Sequence, residues 1–284
     1  YGKMISLRQN KNLKKFLCLY LPLIIASIWT LFPLYWTVIT SLKTSNQIVS
    51  KPITYFPSPV VLEHYAKAWN VGGFSRYFLN SLFVSLVSTL FTVVFATMDG
   101  YAMARYKFKG KYLFLILLLC TQFVPTAMLI IPLFVIYNKL SMINTPWSLI
   151  ITYITFHIPF NATLMSTFIK GIPDSLEEAA MVDGCSRKQA FAHVLLPVLL
   201  PGVAAISAYS FISSWNEYLY ALMFTTSSRN YTLPVGLSMM IGEYSINYGQ
   251  LTAGSVIALC PVVLMFMYVQ KFMVSGLSAG AVKG

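Results

Sequence analysis

Long stretches without a formal charge constrain this chain more than any other feature. Residues 16–42, 112–138, 140–169, 189–216 and 244–270 contain no Asp, Glu, Lys or Arg, and residues 77–104 contain only Asp99. Each window holds 27 to 30 residues, against the roughly 20 apolar residues that cross a bilayer as one helix. Hydrocarbon offers no water to pair a bare N–H or C=O, so a spanning segment is a helix or a strand of a closed barrel. The two-residue alternation of a barrel strand is absent from these windows. The expected fold is an all-α integral membrane protein of six transmembrane helices, the fifth starting after Pro201 and running past Glu217 to about Phe224. The chain is 57% hydrophobic and 10% charged, whereas soluble domains carry about 25% charged residues. That excludes disorder, a nucleic-acid-binding module and most soluble enzymes.

The net charge of +12 reads as an insertion signal, because the basic residues cluster between the apolar windows. With the N-terminus inside, cytoplasmic segments hold Lys3, Arg8, Lys11, Lys14 and Lys15, then Arg105, Lys107, Lys109 and Lys111, then Lys170, Arg187, Lys188, Lys271 and Lys283. The opposite side holds only Lys43, Lys51, Lys67, Arg76, Lys139 and Arg229. Both termini are therefore expected in the cytoplasm. The first apolar run exceeds the 7–15 residues of a typical signal h-region and reads as a span rather than a cleaved signal. The four cysteines show no CxxC and no His at metal-ligand spacing, and read as small hydrophobes plus one loop thiol.

The chain then divides into a cytoplasmic N-terminal tail (1–15), a first transmembrane helix (16–42) and an extracytoplasmic loop (43–76). A five-helix core (77–273) follows, and a C-terminal tail (274–284) ends the chain. The loop at 43–76 carries Pro52, Pro57 and Pro59, yet "LEHYAKAW" within it has helical spacing. Pro146 and Pro159 predict a kink in the window 140–169.

Four of the eight acidic residues, Asp174, Glu177, Glu178 and Asp183, fall in one cytoplasmic segment, residues 170–201. Pro173 blocks continuation of the preceding helix. Ser175 followed by Glu178 has the spacing of a capping box, and Gly184 suits a left-handed residue that closes the short helix. Ser186 and Gln189 repeat the capping pattern for a second helix, before Pro197 and Pro201 lead into the next span. The segment is thus a helix–Gly–helix elbow. Its small residues and N-terminal carboxylate fit docking into a groove on a partner protein, and equally a solvated loop helix with no partner.

The wording of the elbow decides between these. "EAAMVDGCSRKQAFAHVLLP" (Glu178 to Pro197) resembles the EAA loop of binding-protein-dependent ABC importer permeases. Glu178, Ala179, Ala180, Gly184, Val194, Leu196 and Pro197 stand at the motif's spacing, with Val194 where Ile is usual and Cys185 where Ala is common. "SWNEYLYALMF" (Ser214 to Phe224), "YTLPVGL" (Tyr231 to Leu237), "GLSAGAVKG" (Gly276 to Gly284) and "GYAMARYKFKGK" (Gly100 to Lys111) resemble the carbohydrate-uptake, maltose-type class. The resemblance covers nearly the whole chain after the N-terminal tail. It implies a type I ABC importer permease fold with cytoplasmic EAA coupling helices. It also implies a prokaryotic cytoplasmic (inner) membrane location and a non-catalytic subunit that forms half of a sugar translocation path. The implied partners are a second permease subunit, two ATPase subunits that use ATP and Mg, and an extracytoplasmic solute-binding protein. No cofactor or nucleic acid is implied for this chain, and no GxxxxGK[ST] loop occurs in it.

By the same resemblance, Glu178 is the acidic anchor for a basic residue of the ATPase. Ala179, Ala180, Asp183, Gly184, Leu196 and Pro197 complete the coupling loop, and the C-terminal tail reaches the ATPase or simply frays. Asp99 lies six residues before Arg105 and is expected to be solvated near the cytoplasmic interface. Glu217, an intramembrane acid, either lines the path or pairs across helices. His157 reads as a hydrogen-bonded core residue. Asn161, Tyr209, Trp215, Asn216, Glu217 and Tyr218 carry the aromatic and polar chemistry that a sugar path needs, with Thr163 and Tyr220 beside them. The rival readings are an importer of polyol phosphates, peptides or amino acids, and a secondary transporter, which would show internal repeats. A membrane enzyme would need clustered His chemistry, and His64, His157 and His193 lie far apart in sequence.

Overall fold

The computed structural model describes residues 15–70, 73–242 and 246–281, with side chains up to Phe272. The expectations for the N-terminal tail before Lys15 and for the side chains of the C-terminal tail lie outside the described residues. Helices follow one another as α1 (Phe16–Ser41), α2 (Ser45–Val49), α3 (Glu63–Asn70) and α4 (Phe74–Arg105). Next come α5 (Lys111–Thr121), α6 (Thr126–Lys139), α7 (Pro146–Lys170) and α8 (Ser175–Val182). The series ends with α9 (Arg187–Val198), α10 (Leu200–Asn216), α11 (Leu219–Phe224), α12 (Leu233–Met239) and α13 (Tyr248–Ala281). No strand occurs among the described residues, where Ile241 and Ile246 form an isolated antiparallel bridge.

The fold is the expected all-α membrane type. Among the described residues α1, α4, α7 and Tyr248–Phe272 of α13 are long and apolar enough to cross a membrane. The pairs α5/α6 and α9/α10 raise the number to six if each counts as one bent span. Two expected spans depart from straight helices. The window 112–138 bends by 91° between α5 and α6, at "QFVP". Pro125 has no N–H to give and disfavours a helical Val124. The fifth span stops at Asn216, turns extended at Glu217 and resumes as α11.

The chain forms two compact units. One contains α1–α3 and residues 240–257. In it α1 buries only its last residues, Ile39, Thr40 and Ser41. The segment after α1 is ordered: Thr44 and Gln47 make a reciprocal capping box for α2. The Tyr35 hydroxyl donates to the Tyr55 carbonyl at 2.8 Å. Lys43, though charged, is buried, with its ammonium 4.5 Å from the Trp36 ring centre and bonded to the Thr54 carbonyl. The expected helix over "LEHYAKAW" is present as α3, which buries His64 and Ala68.

The other unit contains residues 72–239 and 258–284, and α4 is its organising helix. Ser81, Ser85, Ser88, Thr92, Ala96, Gly100 and Met103 recur every three or four residues and are all buried, which places them on one helical face. Leu79, Leu86, Leu90, Val94 and Met98 face outward. The pattern is small and hydroxylic inside, large and apolar outside. Lipid solvates the large side chains as well as a core would, so helices associate through close packing and polar contacts. At Gly100 that packing reaches its limit, because a Cβ there would lie 2.9 Å from Met165 Cβ and Ser166 N of α7. The Ser88 hydroxyl meets that of Ser214 on α10 at 3.1 Å.

Two apolar clusters sit along this bundle. One gathers Val84, Tyr137, Leu149, Ile150, Tyr153, Tyr220 and Phe224. The other gathers Ala96, Met103, Met165, Ile169, Leu195, Leu199 and Ile206, and so ties the elbow after α8 to the ends of α4 and α7.

Candidate functional site

The elbow begins where α7 ends. Gly171, Ile172, Pro173 and Asp174 separate α7 from α8. The capping box expected from Ser175 and Glu178 does not form. Asp174 occupies the N-cap with a helical backbone (φ −62°, ψ −30°) and no side-chain cap bond. Its carboxylate instead meets Arg105 Nη1 at 2.5 Å. The other end of α8 is as expected: Gly184 has φ +91°, its N–H bonds the Met181 carbonyl, and the Cys185 N–H bonds that of Ala180. These two bonds are the Schellman closure, which a residue with a Cβ resists. Ser186 and Gln189 form the second capping box, starting α9.

Successive residues of a helix point about 100° apart, so Glu177 and Glu178 cannot share a face. Glu177 and Ala180, three apart, are the buried residues of α8. The Glu177 carboxylate receives Arg105 Nε at 2.5 Å and the Tyr101 hydroxyl at 2.8 Å. Arg105 Nη2 donates to the Ile172 carbonyl at 3.0 Å. The Arg105 and Glu177 side chains are 9% and 8% exposed, so this is an interior ion pair. Breaking one side of such a pair costs about 3–5 kcal/mol. The second helix joins the same post: Phe191 sits edge-on to Tyr101 at 4.9 Å, and the Arg187 guanidinium lies 5.3 Å from the Tyr106 ring. Glu178, Ala179, Val182, Asp183 and Gly184 are exposed, and Pro197 is exposed near the bend to α10. Tyr101, Arg105, Asp174, Glu177, Glu178, Met181 and Arg187 line a cleft of about 160 Å³.

The candidate path residues fall into three settings. Asn161 is fully buried, its amide donating to the His157 carbonyl at 2.8 Å and to Ser210 at 3.1 Å. Beside it the half-exposed rings of Phe160 and Tyr209 lie 4.6 Å apart, with His157 edge-on to Tyr209 at 6.0 Å. Trp215 lies in the packed interior, between Phe78 and Phe211, with its indole N–H on the Ala258 carbonyl. Glu217 pairs across helices. Its carboxylate accepts the Tyr153 hydroxyl at 2.6 Å and the N–H groups of Tyr220 and Ala221 at 2.8 and 3.1 Å. It thereby caps α11 at the break in the fifth span. Asn216 and Tyr218 flank it, exposed, and Thr163 turns back to the Pro159 carbonyl. Sequence reasoning counted Glu177 among the acids of the elbow and Arg105 among the cytoplasmic charges, and gave neither them nor Tyr101 a role in the site. For Glu177 the signal was that two adjacent carboxylates in a short helix must face different ways.

Residues 96–277 match the binding-protein-dependent transport system inner membrane components, and the chain belongs to that family. It is 35% identical over 261 residues to the diacetylchitobiose uptake system permease protein of Streptomyces coelicolor, covering 92% of this chain and 95% of that one. It is 34% identical over 278 residues to the trehalose/maltose transport system permease protein of Thermococcus litoralis, covering 97% and 99% of the two chains. A chain of a bacterial ABC transporter that imports the acidic polysaccharide alginate shares its fold, with a TM-score of 0.78 at 22% identity over 89% of this chain and 94% of the other. The chain is therefore a multi-pass inner-membrane permease subunit of a binding-protein-dependent transport system.

Proposed function

We propose that this chain forms half of the translocation path of an ATP-driven carbohydrate importer and receives the ATPase stroke on the exposed face of α8. The observation that carries the coupling role is the division of labour between adjacent carboxylates, Glu177 turned inward and Glu178 outward beside Ala179, Val182 and Asp183. A short helix fixed on one face and bare on the other is suited to lie in a groove of a soluble subunit. The carbohydrate substrate is supported by relatives named for diacetylchitobiose and for trehalose and maltose. The working complex is this chain with a second permease, two ATPase subunits that bind ATP and Mg, and an extracytoplasmic solute-binding protein. The basic residues of the 105–111 and 170–188 segments support cytoplasmic termini. Tyr209 and Phe160, with Asn161 behind them, and Asn216 and Tyr218 at the break after α10 offer aromatic and polar groups to a sugar. Glu178→Lys places a like charge before the basic partner and is expected to lower ATP-dependent uptake while the chain stays in the membrane. Undiminished uptake by that variant refutes the coupling assignment.

A further inference from the structure

Arg105 ends the second span, α4, yet its bonds all go to the elbow. Its three guanidinium nitrogens each have a separate acceptor there: Glu177 for Nε, Asp174 for Nη1 and the Ile172 carbonyl for Nη2. Those acceptors lie before α8 and within it, on both sides of Pro173. Tyr101, one turn earlier on α4, supplies the remaining Glu177 oxygen with a hydroxyl. The planar guanidinium holds such contacts in a fixed fork geometry, and the Nε–Glu177 bond is shielded from water. Covalently, α8 hangs from α7 by four residues, Gly171 to Asp174, a short connection with a Gly at its start. At Gly100 the same stretch of α4 meets α7 with no room for a Cβ.

We propose that Arg105 is a positioning residue: with Tyr101 it clamps Glu177 and Asp174 so that the coupling helix α8 moves as one body with α4. A push on the exposed Glu178 face then reaches the second span directly and is not absorbed at Gly171–Pro173. The inference rests on the coupling role proposed for α8.

The test uses the complete transporter complex in lipid nanodiscs, with Cys18, Cys120, Cys185 and Cys260 replaced by Ser. Nitroxide labels are placed at Leu176 on α8, outside the Glu178 face, and Met98 on α4, both exposed. Pulsed EPR is expected to show one narrow Leu176–Met98 distance distribution, with the same centre without nucleotide and after trapping with ATP and vanadate. Glu177→Gln keeps the side-chain shape and removes the charge. It is expected to broaden that distribution, and to raise ATP hydrolysis severalfold in kcat without moving KM for ATP, since the stroke no longer meets the load of the spans. Tyr101→Phe, which removes only one hydroxyl, is expected to broaden it less and keeps the test valid if Glu177→Gln fails to assemble. Distributions as narrow as the parent's in the variants overturn the clamp, whatever their kcat. Glu178→Lys separates the two ideas: it is expected to shed the ATPase on purification while keeping the narrow distance. A Glu178→Lys complex that keeps its ATPase refutes the coupling face and leaves the clamp standing.

Discussion

Replacing Gly100 by Ala adds one methyl at the tightest helix contact of the bundle. The new Cβ falls 2.9 Å from Met165 Cβ and 2.9 Å from the Ser166 backbone nitrogen, whereas ordinary contact begins at 3.4 Å. The shortfall of about 0.5 Å is met by backbone, and neither α4 nor α7 yields one residue at a time. Overpacking of this kind costs about 1–3 kcal/mol, and 1 kcal/mol is already about a fivefold loss in the folded-to-unfolded ratio. Gly202→Ala is the internal control. Its Cβ also comes within 2.9 Å of a neighbour, but that atom is Phe168 Cγ, which a χ1 rotation of this exposed side chain moves, whereas the Gly100 contact includes a backbone nitrogen. Reversible SDS titration of the purified subunit in mixed micelles, followed by tryptophan fluorescence, measures both. Gly100→Ala is expected to be the more destabilised of the two. Equal stability of Gly100→Ala and the parent, or a larger loss for Gly202→Ala, refutes the close-packing argument.

Other perturbations follow from the same geometry. Glu217→Ala removes the cap of α11 and leaves the Tyr153 hydroxyl without its acceptor. Loss of a cap costs about 0.5–2 kcal/mol, and the same titration should show at least that. Gly184→Ala meets no neighbour but forces a left-handed side-chain residue, at about 1–2 kcal/mol. Its effect should appear as faster amide exchange in α8 and α9 rather than in α4. Burial holds the Lys43 ammonium below its ordinary 10.5. Between that lowered value and 10.5 the unfolded chain binds the extra proton, so stability should rise with pH through this window. Lys43→Met should abolish the rise in melting temperature. Glu178→Lys, as argued above, should depress ATP-driven uptake.

The membrane fold was legible because lipid imposes its demand residue by residue: a span needs an uninterrupted apolar run, and the charge-free windows display one. Hydropathy carries no direction, so the 91° bend between α5 and α6 was hidden even though Pro125 marked the place. The break at Glu217 had no Gly or Pro to announce it. There a carboxylate takes over the first N–H groups of α11, a substitution visible only once Tyr153 is known to lie opposite. At the elbow, Gly184 and the Ser186–Gln189 box are local devices and were readable from spacing. The Ser175–Glu178 box had the same spacing and failed, because Arg105, distant in sequence, draws in Asp174 and Glu177. Local chemistry wrote the turns, and the partner of each carboxylate was set by tertiary structure.

The central claim, that this chain works as the permease of an ATP-driven carbohydrate importer, is tested most directly by its company in the membrane. Purification of the chain from its native membrane in mild detergent, with mass-spectrometric identification of what comes with it, should yield a second permease, an ATPase carrying a phosphate-binding loop, and a solute-binding protein that retains a carbohydrate. Recovery of the chain alone, under conditions that keep known multisubunit transporters intact, would contradict the account.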